Sequence, residues 1–141
     1  MKGLQFKIDG DWAHFKKPET NNNPLSHDLI PKTALIGMIG AVLGIEREKM
    51  KSLFPQLSED LLYGVELLKP VKKASCGFTS HTAINPTAIK SPKAFEMLRD
   101  VSYKVCVGLY GERSQSIFYE FQKAILEGYA VYDPYLGIAN C

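Results

Sequence analysis

A chain of 141 residues with 45% hydrophobic content can bury one core but is too short for two ordinary domains, so residues 1–141 are expected to form a single domain. The formal net charge of +2 excludes bulk charge as a source of nucleic-acid affinity, which would have to come from clustered lysines. Cys76, Cys106 and Cys141 are widely spaced, with no C-x-x-C pair and no histidine at ligand spacing, so no metal and no cofactor is expected, and three free thiols fit a reducing, cytoplasmic setting.

In chain order, the N-terminus MKGLQFKIDGDW lacks the unbroken apolar core of a secretory signal. Leu4, Phe6 and Ile8 alternate with Gln5, Lys7 and Asp9, the period-two pattern of a half-buried strand over 3–15. Gly10-Asp11 is expected to break or bulge it. Trp12, Ala13 and Phe15 resume the apolar pattern, which ends in His14, Lys16 and Lys17. Trp12 and Phe15 are expected in the core rather than stacked on bases. Residues 19–31, with three asparagines, two prolines and Ser26-His27-Asp28, form a loop.

The most apolar stretch, PKTALIGMIGAVLGI over 31–45, predicts a buried helix with Thr33 as N-cap and Gly44 as a left-handed C-cap. It is well short of the roughly 20 residues a membrane span needs, so no membrane association is expected. Gly37, Gly40 and Gly44 fall on one face, where tight packing against the sheet is expected to offset their poor helix propensity. Charged residues 46–60, interrupted by Pro55, predict one short helix and a connection.

A second strand follows over 62–71, ending in Lys69, Lys72 and Lys73. Residues 74–100 carry two prolines and many hydroxyls and form an excursion, a hairpin or short helix, too polar for the main core. Val101, Tyr103, Val105, Val107 and Leu109 alternate in a third strand. Ile117, Phe118, Phe121, Ala124 and Ile125 take helical spacing over 114–127, with Gly128 as terminator, and 129–140 is expected as a last strand broken by Asp133-Pro134.

The order is that of an α+β, ferredoxin-like βαββαβ fold of the RRM/RAMP kind: an antiparallel sheet with two helices on one face and an insertion between strands 2 and 3. This frame carries many activities, and the residues must supply the function. GDWAHFKKPET, PLSHDLIPKTALIGMIGAVLGI and DPYLGIANC together resemble the fifth CRISPR-associated protein family, a RAMP-type subunit of the type I Cascade surveillance complex. His14, Phe15, Lys16, Lys17, Pro31, Lys32, Thr33, Leu35 and Gly37 follow its pattern in order.

The resemblance implies a hairpin thumb at 74–100 and a subunit that caps the backbone filament beside the large subunit, holds the 5′ handle of the guide crRNA and meets target DNA only indirectly. Many members continue into a second, β-rich part that this sequence is expected to lack. A helix N-terminus at Thr33 with Lys32, facing Lys16 and Lys17, makes a phosphate cradle, with His14 beside it and Lys72 and Lys73 as a second RNA-binding cluster. The expected function is therefore non-catalytic RNA binding. The alternative is a metal-independent endoribonuclease processing pre-crRNA: one subtype cuts with a tyrosine and an adjacent lysine and histidine. This sequence has no Lys-His dipeptide, and its catalytic candidate is His81.

Overall fold

The computed structural model describes residues 2–18, 25–80 and 91–136. Strand β1 (Lys2–Ala13) leads through the 25–31 loop to helix α1 (Lys32–Leu43), helix α2 (Arg47–Asp60), and strands β2 (Leu61–Leu67), β3 (Lys73–Ser80) and β4 (Ser91–Leu109). A 3-10 turn (Glu112–Ser114) then opens helix α3 (Gln115–Glu127). The sheet is antiparallel throughout, with β4 central: β1 pairs along one edge, and β2 and then β3 along the other.

Alternation in sequence becomes layering. Leu4, Phe6 and Ile8 stand opposite Val107, Val105 and Tyr103, and these join Leu35, Ile36, Ile39, Phe118 and Phe121 in one apolar core. The Phe6 and Phe121 rings meet edge to face at 5.6 Å, which seats α3 on that side of the sheet. Gln5, Lys7 and Cys106, at the alternate positions, are exposed. No described helix is long and apolar enough to cross a membrane.

Several expectations need correction. β1 runs through Gly10-Asp11 without a slip: Gly10 pairs with Val101 and Trp12 with Arg99 in one register. The N-cap of α1 is Pro31, not Thr33, because the Pro31 carbonyl already accepts the first helical bond, from Leu35 N–H at 3.1 Å. Gly44 is the left-handed C-cap, with φ 71°. Residues 47–60 form one continuous helix through Pro55 that runs directly into β2. Pro55 and Lys51, whose carbonyl loses its partner, are both exposed, so water can take the vacant bond.

The glycines of α1 pack on helix and tail rather than on the sheet. A side chain at Gly40 would meet Met50 of α2, one at Gly44 would meet Val131, and one at Gly37 would meet nothing. The expected last strand is absent over 129–136. Val131 N–H donates to the Val42 carbonyl (3.0 Å) and Tyr132 N–H to that of Ala41 (2.9 Å), so this segment closes the C-terminal end of α1 instead of extending the sheet. Farther on, the Leu136 carbonyl accepts from His14 N–H at 2.9 Å.

On the far edge of β4, the last pair of β2, Leu67 with Tyr103, is followed by the first pair of β3, Lys73 with Leu98. Asp100, in the gap, has φ 49°, left-handed and unusual for a residue other than glycine. The 73–80 and 91–98 ladder therefore continues the sheet as a two-stranded arm braced by the end of β1.

Candidate nucleic-acid interface

The residues after β1 double back on themselves. Phe15 N–H donates to Ser26 Oγ (3.0 Å), His27 N–H to the Phe15 carbonyl (2.7 Å) and Lys17 N–H to the Leu25 carbonyl (2.9 Å). Two side chains then pin this fold-back to the sheet. The buried Tyr103 hydroxyl donates to the Asp28 carbonyl at 2.8 Å, and Glu96 accepts from Ser26 N–H at 3.2 Å. Burial, with the Asp28 charge as a second cause, pushes the Tyr103 phenol up to about 12, so it stays a donor.

Between the fold-back and the sheet lies an open groove of about 500 Å³, lined by Lys17, His27, Asp28, Leu29, Ile30, Pro31, Tyr63 and Lys73. Lys73 sits between two carboxylates, Asp28 at 2.9 Å and Glu96 at 3.3 Å, with its side chain 37% exposed. The bond to Asp28 raises its pKa above the ordinary 10.5, with Glu96 adding to the effect, so the ammonium is fixed in place and charged at neutral pH. Lys16 and Lys72 are exposed and form no ion pair with a described residue. The groove thus joins cations, a histidine and a tyrosine beside the first turn of α1, a chemistry suited to phosphate and base.

A family model described as CRISPR-associated protein (Cas_Cas5) matches residues 3–105. The chain is a member of that family. A search of curated proteins finds no match. Among solved structures, the chain is similar to one in a "CRISPR RNA-guided surveillance complex", at TM-score 0.71 and 18% identity over 99% of this chain and 58% of the other. It is also similar to a functionally uncharacterized protein, SMU1763c from Streptococcus mutans, at TM-score 0.54 and 17% identity over 99% and 63% of the two chains. At these identities the likeness is one of fold, and the chain spans about three-fifths of each matched structure.

In this family member the residues expected at an RNA surface divide. Lys17 and Lys73 come together in the groove, with Lys16 and Lys72 adjacent to them in sequence. Lys32 does not face Lys16 and Lys17: its Nζ donates to the Ser58 carbonyl in the last turn of α2, where a cation meets the negative end of the helix. Thr33 is exposed in the first turn of α1. His14, expected at the surface, is only 1% exposed, with Nδ1 donating to the Glu96 carbonyl at 2.7 Å and its ring edge-on to Phe95. Its Nε2 has no hydrogen-bond partner among the described residues. His81 lies outside the described residues.

Sequence reasoning missed His27 and Tyr63 as groove residues. Tyr63 belongs to an ordinary strand alternation, and only its place on an edge strand leaves it exposed. His27 stood in a loop whose fold-back depends on Ser26 and Tyr103, a contact 75 residues away in sequence.

Proposed function

We propose that this chain is the non-catalytic RNA-binding subunit of a type I Cascade-like CRISPR surveillance complex. Its role is to hold the 5′ handle of the crRNA and to cap the backbone filament, in contact with the backbone and large subunits. The family match over 3–105 carries this reading. The groove supports it by supplying clustered cations to a chain of low net charge. The frame is read as ferredoxin-like, built here from β1, α1, β2, β4 and α3, and the sequence segment 74–100 as the thumb.

Binding of a fluorescein-labelled repeat-derived RNA, followed by anisotropy across a salt series, tests the reading. Lys16→Ala and Lys17→Ala combined are expected to weaken binding and to flatten the salt dependence by about 0.7 in log-log slope for each phosphate no longer neutralised. Unchanged affinity and slope would overturn the site. Lys32→Ala is expected to affect stability instead, because its ammonium is engaged at Ser58.

One observation favours a second reading. Lys17, His27 and Tyr63 line the same groove, and metal-independent RNA cleavage needs a base or acid near the 2′-hydroxyl and a cation for the phosphate. Incubating repeat RNA with the chain in EDTA separates the two. Specific cleavage that His27→Ala abolishes would replace the non-catalytic reading, and cleavage lost only in His81→Ala would move the chemistry to His81.

A further inference from the structure

Trp12 is the sole tryptophan of the chain, and the strand alternation that suggests burial leaves it 36% exposed. Its cross-strand partner in β4 is Arg99, also exposed, whose guanidinium carbon lies over the indole at 5.6 Å from the ring centroid. Arg99 N–H in turn donates to the Lys72 carbonyl at 2.9 Å, which sets the exposed Lys72 at the same level on the neighbouring segment. Trp12, Arg99 and Lys72 therefore follow one another across three neighbouring segments at the root of the arm. The nearby acid Asp100 is held by Lys69 at 2.9 Å.

We infer that Trp12 and Arg99 form a stacking platform for a base of single-stranded RNA, with Lys72 meeting its phosphate. The inference rests on the RNA-binding reading above and adds a second site of contact to it. An exposed indole with a flat cation against it offers a broad polarizable surface that every base can use, whatever its identity. Charge decides against a protein apolar segment as occupant, since Arg99 lies over the one aromatic ring and Lys72 follows on the next segment. Successive residues of an extended chain send side chains to opposite faces, so Lys73 serves the groove while Lys72 serves the platform. A single strand lying in the groove would reach the platform by crossing the edge of β3.

Because the chain has one tryptophan, its fluorescence reads the platform directly. The full chain is titrated with a short fluorescein-free single-stranded oligoribonucleotide while indole emission is followed. Parallel anisotropy with a labelled copy measures total binding. Saturable quenching on the same curve as binding is expected, and an otherwise identical abasic oligomer is expected to bind without quenching. Trp12→Ala should weaken binding by roughly 5- to 150-fold, the range set by loss of one base–aromatic stack, and Trp12→Phe by less. Lys17→Ala should weaken binding yet leave the quench per bound strand unchanged. Binding by anisotropy with no change in indole emission, or equal quenching by the abasic oligomer, overturns the platform and leaves the RNA-binding reading standing. Absence of binding overturns both.

Discussion

Two points along β4, its C-terminal end and its middle, carry clusters of charge with opposite characters. Near Leu109, Asp60 is held on every side: Arg113 Nε reaches both carboxylate oxygens (3.1 and 2.9 Å) and Ser114 Oγ donates at 2.6 Å. The Asp60 carbonyl also accepts from Tyr110 N–H at 2.8 Å and Gly111 N–H at 3.2 Å. Glu59 takes the remaining fork of Arg113 at 2.7 Å. Near Leu98, by contrast, Lys73 is braced by two carboxylates but stays partly in water, with further lysines around it. A buried carboxylate such as Asp60, its side chain 7% exposed with both oxygens bonded, locks an element in place. A cluster left partly open can still exchange water for a ligand.

The comparison breaks hardest at Asp60. Replacing it with Asn removes the acceptor pair of Arg113, and a larger fall in melting temperature is expected than for any single lysine substitution in the groove. Arg113 first, then Ser114, hold the Asp60 carboxyl below its ordinary 3.8. Its stabilising contribution is therefore complete above that value and lost as pH falls through the lowered folded value. Wild-type melting temperature should drop steeply below pH 3.8, and the Asp60→Asn curve should be flatter there. Identical slopes would remove the lock.

A middle-sized effect is expected at Tyr103. Tyr103→Phe deletes the bond to Asp28 and should destabilise by about 1 kcal/mol in urea titration. It should also speed hydrogen exchange in the 25–31 loop while leaving the Asp60 end protected. The smallest effect sharpens the role of α1, which abuts the groove through Pro31 and the Asp60-bearing helix through Lys32. Gly37→Ala meets open space on an exposed helical face and should stabilise by about 0.5–1 kcal/mol, whereas Gly40→Ala forces Met50 aside and should destabilise.

What could be read from the residues followed periodicity. Leu4-Phe6-Ile8, the alternation from Val101 to Leu109 and the spacing of Phe118, Phe121 and Ala124 each report one local geometry, and each produced the expected element. The misreadings have physical causes of the opposite kind. Thr33 has the chemistry of a cap, but the cap is decided by whose carbonyl accepts first, and the rigid Pro31 precedes it. Pro55 signals a break, yet Met50, Leu53, Phe54 and Leu57 keep helical spacing across it and pack on the core.

The 129–136 segment has strand-forming residues, but its donors are taken by the carbonyl end of α1, a partner almost ninety residues earlier. The site was half legible for the same reason. Clustered lysines are visible in a string of letters, whereas the engagement of Lys32 by Ser58 and the burial of His14 are tertiary facts.

In mechanical terms, β4 is a beam. Its nineteen residues reach about 60 Å at the rise of an extended strand, and the same strand forms the arm, the centre of the sheet and the approach to Asp60. The left-handed Asp100 would be the natural place for such a beam to bend. Trp12 and Ala13, paired to Arg99 and Leu98 on its far side, splint that point. To bend there, the arm would have to break the Trp12–Arg99 and Ala13–Leu98 pairs, so the strand across the way raises the cost of the bend.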